Sequence, residues 1–260
     1  MKSFKSYIAE ESFSLDELDM DFLRRAEQIT SFNLDASHFQ TLKYKKEIQH
    51  LFVKHFFPGF NLDDTLNKVD KDEINKVVRQ LKAIDKQSFF NIHRYNLKGV
   101  GPGEATMFFM IDGAVIGGGT SAGTDLFVDG ELYEIKGAKY IQKDNIIHDF
   151  KLGGTVEIQD LMGRLLDLAQ EMGITNSRKS IPKTEIQEMR QSGSEEFRRI
   201  EEEYVDRAFK YLSQNKLLII NNDDNGVNTG EVMIVGRIQK EDVGLERLTS
   251  NTLKPFIRMN

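Results

Sequence analysis

The sequence predicts an α/β or α+β fold, in which a mixed central sheet is flanked by helices and preceded by a helical region. Two observations lead to this fold class. Up to about residue 90, apolar residues recur three and four positions apart, which is the spacing of a helix face. From about residue 98, glycine-rich turns alternate with short apolar runs that are typical of strands. We therefore predict a helical N-terminal region over residues 1–90 and an α/β domain over residues 91–260.

The N-terminal region is expected to hold three helices. The stretch Ser14–Glu17 fits a capping box at the start of the first. A second helical run, near residues 43–57, ends at the breaker pair Pro58-Gly59. A third runs from about Asp70 to Asp85, and its apolar residues form one stripe. That stripe consists of Ile74, Val77, Val78, Leu81 and Ile84.

The second part of the chain mixes strands and helices. Short apolar runs on either side of Asp129-Gly130 predict a hairpin, because Asp-Gly favours a tight two-residue turn. A helix is expected over residues 157–172, and one long helix, or two broken at Gly193, over residues 184–212. Two further strands are expected at residues 216–220 and 231–238.

Composition restricts the classes of protein to which the chain can belong. The 260 residues are 39% hydrophobic and 29% charged, and none is cysteine, which excludes disulfides and thiolate zinc sites. No apolar run reaches the roughly 18 residues of a membrane span, and the N-terminus lacks an apolar signal core. We therefore expect a cytoplasmic protein. The net charge of −6 argues against a general nucleic-acid coat but permits an enzyme with one local DNA-binding patch.

The predicted hairpin carries three charged residues that a hairpin does not need. Glu134 and Lys136 are two apart and therefore share a strand face, whereas Tyr133 and Ile135 point into the expected core. Asp125 opens the preceding strand, and pairing around the turn brings it toward that face. Two carboxylates and one ammonium are thus expected at one end of the sheet.

This set of residues fits phosphodiester hydrolysis. Carboxylate oxygens bind a hard divalent ion, usually Mg²⁺, with Mn²⁺ as the alternative. Such an ion polarises a phosphate and lowers the pKa of a bound water. A lysine beside it can orient the nucleophile or stabilise charge that develops on the phosphate. The competing interpretation is a solvated hairpin face, where Glu134 and Lys136 pair weakly across water.

The residues around this trio resemble the PD-(D/E)xK nuclease superfamily. In that family an acid starts one strand and (D/E)-x-K lies on the next, as Asp125 and Glu134-Ile135-Lys136 do here. Many members also carry an acid on the preceding helix, often within Gly-x-Gly-Glu, and this chain has Gly101-Pro102-Gly103-Glu104. The position before the first acid departs from the motif name, since Thr124 stands where the name has proline.

The resemblance implies a restriction-endonuclease-like fold and a Mg²⁺-dependent endonuclease that acts on DNA. Glu104, Asp125 and Glu134 would then bind the metal, and Lys136 would assist the attacking water. Restriction-type members are often dimers, which makes a homodimer an expectation. The Gln-x-x-x-Tyr motif of RecB-like exonucleases is absent, because Gly163 lies four residues after Gln159.

Rival functions rest on the remaining parts of the chain. The opening MKSFKSYIAEE resembles the start of many proteins of large tailed phages, which would place the protein in the host cytoplasm or in a virion. One rival is therefore a non-catalytic phage structural or DNA-packaging protein that retains the nuclease fold. Another is a binding module whose N-terminal helices recruit a phage or host protein.

Three basic residues are the predicted nucleic-acid contacts. Lys139 and Lys143 follow the hairpin, and Arg94 precedes the glycine-rich turn, so each could meet a phosphate. The glycine-rich segment at residues 117–123 predicts a mobile loop beside the metal site that could close over substrate.

Overall fold

The computed structural model describes residues 66–93, 101–116, 124–150, 152, 159–249 and 252–259. These residues form a mixed α+β fold of two compact units. The first unit combines the described residues up to Lys136 with Leu218–Val235, and the second combines Gly137–Leu217 with the described residues from Gly236 onward. The chain therefore enters the second unit, returns to the first and ends in the second.

The first unit begins with two helices. Helix α1, Lys71–His93, starts where the Asp70 carboxylate accepts the N–H groups of Asp72 and Glu73. Its dihedral angles break at Asp85, where the predicted third helix was expected to end. Helix α2, Pro102–Met110, follows Gly101 and has proline at its first position, where the missing N–H costs nothing.

The strands of the first unit centre on the predicted hairpin. β2, Leu126–Val128, pairs antiparallel with β1, Val115–Ile116, and with β3, Glu131–Ile141. Asp129 and Gly130 both adopt positive φ, 47° and 81°, as a type I′ turn requires. β5, Lys216–Asn222, pairs with β3 and with β6, Asn228–Gly236.

Contacts of long sequence separation join the helices of the first unit to its strands. The Asn75 side chain on α1 exchanges two hydrogen bonds with the backbone of Val232 on β6, at 2.9 and 2.7 Å. Most of the predicted α1 stripe is buried, but Ile84 is 43% exposed because it lies at the break before Asp85. The prediction that the stripe is buried is correct as far as Leu81 and wrong for Ile84, its last residue.

The second unit contains the end of β3 and three more strands. Gly137–Ile141 continues β3 and pairs with β4, Ile146–His148, which pairs with β8, Thr252–Arg258. β8 pairs in turn with β7, Val243–Thr249, across a register shift between Leu245 and Arg247. A short 3₁₀ helix, Lys240–Asp242, precedes β7.

Three helices belong to the second unit. They are α3, Gln159–Glu171, α4, Lys183–Gln191, and α5, Glu195–Leu212. The predicted break at Gly193 is present, with φ of 73°, and Ser194 caps α5 by accepting the N–H of Phe197. Ion pairs join α3 to α5: Arg164 bonds Glu203 at 2.7 Å and Arg207 bonds Asp160 at 2.9 Å.

Several sequence predictions fall outside the described residues. These are the first two N-terminal helices, Arg94 and the glycine-rich loop at 117–123. The predicted division at residue 90 stays a prediction. Among the helices within the described ranges, none combines the length and apolar character that crossing a membrane requires.

A close approach between β7 and β8 gives a stability prediction. A Cβ at Gly244 would overlap the ring of Phe256, its cross-strand partner. Gly244→Ala should therefore lower the free energy of unfolding by about 2 kcal/mol or more, as overpacking does. The matched change Gly163→Ala, on α3 where a Cβ meets nothing within 4 Å, should raise it by about 0.5–1 kcal/mol. Urea unfolding measures both, and equal effects would contradict the assigned packing.

Candidate active site

The first unit brings together the four residues of the predicted site. Asp125 lies just before β2, Glu134 and Lys136 lie on β3, and Glu104 is the third residue of α2. Tyr133 and Ile135, which alternate with the charged pair, are buried in the core at 5% and 7% exposure. The hairpin alternation thus places the charges and the core side chains on opposite strand faces.

Asp125 is held by the backbone of the strand opposite. Its Oδ2 accepts the N–H of Ile135 at 2.7 Å, and its own N–H donates to the carbonyl of Tyr133 at 3.0 Å. A carboxylate that accepts a backbone N–H keeps a fixed orientation, so Asp125 is anchored in the hairpin.

Lys136 contacts both carboxylates of the hairpin. Its Nζ donates a hydrogen bond to Glu134 Oε1 and lies 3.9 Å from Asp125 Oδ2. Glu134 is 5% exposed, and the Lys136 side chain is 18% exposed. The solvated-face interpretation required both side chains to lie in water, and their burial does not agree with it.

The two glycines beside Glu104 have separate physical roles. Glu104 Oε1 accepts the N–H of Gly101 at 3.0 Å, and a Cβ on Gly101 would come within 2.8 Å of that oxygen. A Cβ on Gly103 would lie 3.0 Å from Ile220 and 3.1 Å from Ile135, so a small residue lets α2 approach β5 and β3. In the Gly-Pro-Gly-Glu stretch, Gly103 therefore lets α2 pack against the strands, and Gly101 leaves space for the Glu104 carboxylate.

The pKa values of two of the carboxylates are raised, in part by the neighbouring carboxylates. Burial raises the pKa of Glu104 from 4.5 to about 8, and the Asp125 carboxylate acts in the same direction. Burial and then the Glu134 carboxylate raise the pKa of Asp125 from 3.8 to about 6. The Lys136 ammonium opposes both shifts without cancelling them. At neutral pH the metal-free site therefore keeps a proton on Glu104.

The donor set suits a hard divalent ion, although it is not arranged around one. Within the described ranges, no three carboxylate or imidazole groups already surround a point where an ion could bind. The reason lies in two bonds: Lys136 holds Glu134, and the Gly101 N–H holds Glu104. Binding of a cation would require these side chains to turn, and it would relieve the repulsion among the carboxylates.

The predicted nucleic-acid contacts are Lys139, Lys143 and Arg94. Lys139 lies on the end of β3 and Lys143 in the exposed turn after it, and both belong to the second unit. Arg94 lies outside the described residues. These three contacts remain predictions.

Sequence reasoning missed the extent to which Glu134 is buried. Alternation along β3 places it opposite the core, which ordinarily means the wet face. The signal that could have indicated burial is Glu104, a third acid on a helix whose glycines let it pack closely against the strands. Burying several acids and a lysine together costs folding free energy, and such clusters are concentrated at functional sites.

Comparison with known proteins gives no match: no family model matches the chain, nor does any curated protein or solved structure.

The raised pKa values predict an unusual pH dependence of the metal-free protein. An acid whose pKa is raised in the folded state holds its proton more tightly there than in the unfolded chain. The free energy of unfolding therefore falls as pH rises from the unfolded-state pKa to the folded-state pKa. The free energy of unfolding of Glu104→Gln, minus that of the unmutated protein, should increase by about 3 kcal/mol from pH 5 to pH 8. The amide keeps an oxygen for the Gly101 N–H. Urea unfolding in EDTA at several pH values measures this, and parallel curves for the two proteins would contradict it.

Proposed function

We propose that the chain is a divalent-metal-dependent nuclease, an endonuclease acting on DNA, with its active site at Glu104, Asp125, Glu134 and Lys136. The observation that carries the proposal is the clustering of three acids and one lysine in the first unit, where Glu134 is buried and the other three are half-buried. Burying like charges together destabilises a fold, and such arrangements concentrate at functional sites. A hairpin of this length needs none of them for its own stability.

Each residue has a role that its contacts support. Asp125 and Glu134, fixed on paired strands, would hold Mg²⁺ or Mn²⁺, with Glu104 completing the oxygen ligands once it leaves Gly101. When bound, the ion supplies Lewis-acid polarisation of the phosphate and a bound water of lowered pKa. Lys136 would leave Glu134 and donate to the phosphate oxygen on which charge develops. Glu104, whose pKa is raised to about 8 in the metal-free site, would release its proton when it binds the metal.

The fold assignment as restriction-endonuclease-like belongs to the same proposal. It is supported by the order of elements: a helix that carries an acid, then a strand that an acid opens, then the Glu-x-Lys strand. A homodimer, a phage origin and a location in the host cytoplasm or in a virion are parts of the proposal that only the sequence resemblance supports.

The experiment is incubation of the purified protein with supercoiled plasmid in Mg²⁺, in Mn²⁺ and in EDTA. We expect nicked or linear plasmid with either metal and none in EDTA. Closed circular DNA without free ends separates endonuclease from exonuclease action. Intact plasmid in both metals, with a labelled RNA and a single-stranded DNA also intact, would contradict the proposal.

A further inference from the structure

An exposed apolar pair lies on the hairpin beside the charged residues. Phe127 on β2 and Leu132 on β3 are direct cross-strand partners, and they are 40% and 44% exposed. Both side chains stand on the open face, since the neighbouring residues Leu126 and Tyr133 are buried. A cross-strand pair of this kind contributes only about 0.2–1 kcal/mol to the stability of a hairpin, so folding alone gives a weak reason for the pair.

This pair shares its strand face with the candidate active site. Phe127 is two residues from Asp125 and Leu132 is two residues from Glu134, and residues two apart in a strand face the same side. Two residues of strand span about 7 Å, so the apolar pair lies one rung from the carboxylates. Val115 on β1, the cross-strand partner of Phe127, extends the row by one more apolar residue.

We propose that Phe127 and Leu132 form a platform on which an unpaired nucleobase stacks, next to the phosphate held at the charged residues. This rests on the proposed function and names its preferred substrate: a nucleic-acid strand whose bases are unpaired. The platform is apolar, and the adjacent rung carries Asp125 and Glu134, where the proposed metal would bind a phosphate, so one face would offer a base site beside a phosphate site. Every nucleobase presents a flat π-face to such a surface, whereas the bases of an intact duplex are already stacked on one another.

The charge arrangement distinguishes this occupant from another protein surface. A docked protein helix would place apolar side chains over Phe127 and Leu132 but would make no use of the adjacent carboxylates and Lys136. A nucleotide joins an apolar base to an anionic phosphate at about the spacing of one rung. An apolar pair beside charged residues on one face therefore fits a nucleotide strand better than it fits a protein helix.

The test measures binding, independently of cleavage. Fluorescence anisotropy compares a labelled single-stranded 12-residue deoxyoligonucleotide with an abasic strand of equal length and with a duplex of the same sequence. Ca²⁺ replaces Mg²⁺, and a gel checks that the strands stay intact. We expect single-stranded DNA to bind about tenfold more tightly than the abasic strand, which is the contribution of about one stacked base.

The variants are Phe127→Thr and Leu132→Thr, which keep strand propensity at exposed positions. Phe127→Thr should lose about tenfold in affinity for single-stranded DNA and almost nothing for the abasic strand, with a smaller loss for Leu132→Thr. The matched control is Ile84→Gln, which removes a 43% exposed apolar side chain from α1 and should change neither affinity. Thermal melts establish that each variant is folded.

The outcomes separate the platform from the nuclease. Equal affinity of the unmutated protein for normal and abasic strands would overturn the platform even if the plasmid is cut. An unchanged affinity of Phe127→Thr for single-stranded DNA would also overturn it. A base-dependent affinity that Phe127→Thr loses would support the platform even if no metal permits cleavage. Sedimentation velocity adds a further outcome: a dimer that dissociates in Phe127→Thr, with DNA affinity unchanged, would assign the face to a second copy instead.

Discussion

Asp125→Asn should abolish metal-dependent cleavage while the hairpin stays folded. The substitution removes the charge that a divalent ion needs but keeps a side-chain oxygen for the Ile135 N–H. Loss of an ion that polarises the phosphate removes several kcal/mol of transition-state stabilisation, so plasmid cleavage should fall by at least about a thousandfold. Metal-free stability should hold or rise, because Asp125 no longer repels Glu104 and Glu134.

Two comparisons isolate the cause of that loss. Asp129→Asn makes the same chemical change four residues away, at a turn position with positive φ that asparagine tolerates well, and it should leave cleavage intact. Asp125→Ala should lose cleavage and also about 1–3 kcal/mol of stability, because the Ile135 N–H then lacks its acceptor. Plasmid cleavage and thermal melts with and without Mg²⁺ measure all three. Retained cleavage in Asp125→Asn would remove Asp125 from the site.

Lys136→Met should separate binding of the metal from catalysis. Lysine is a point cation and not a metal ligand, and methionine keeps the apolar stem of a side chain that is 18% exposed. Mg²⁺ affinity should stay equal or increase, because the ammonium that competes for Glu134 is gone. Cleavage should fall by about a hundredfold or more, the contribution of one preorganised electrostatic group.

Calorimetric titration with Mg²⁺ and plasmid cleavage give the two readouts for Lys136→Met. Lys76→Met, at an exposed position of α1, is the matched control and should change neither. Full cleavage by Lys136→Met would leave Glu134 and Lys136 as a buried ion pair without a catalytic role. A parallel loss of metal affinity and cleavage would instead assign Lys136 to the integrity of the site.

The sequence predicted local elements well where one periodicity governed them. The α1 stripe, the Asp129-Gly130 hairpin and the break at Gly193 each depend on residues within a few positions of one another. β8 went unpredicted, because Pro255 interrupts an otherwise alternating strand. The structure accommodates it opposite Leu245, beside the register shift between Leu245 and Arg247.

The candidate site was predictable in its membership but not in its environment. Spacing and the turn place Asp125, Glu134 and Lys136 at one end of the hairpin, and the resemblance to the nuclease superfamily adds Glu104. Burial of Glu134 depends on the packing of segments far apart in sequence. Alternation of residues along a strand does not reveal such packing.

The central claim is that these four residues form a divalent-cation site, and location of the ion tests it most directly. Crystals grown with Mn²⁺ would be measured at a wavelength where manganese scatters anomalously. We predict an anomalous peak about 2.0–2.6 Å from carboxylate oxygens of Asp125 and Glu134, with Lys136 Nζ moved away from Glu134. No peak at these carboxylates at saturating Mn²⁺, with Lys136 still bonded to Glu134, would contradict the account.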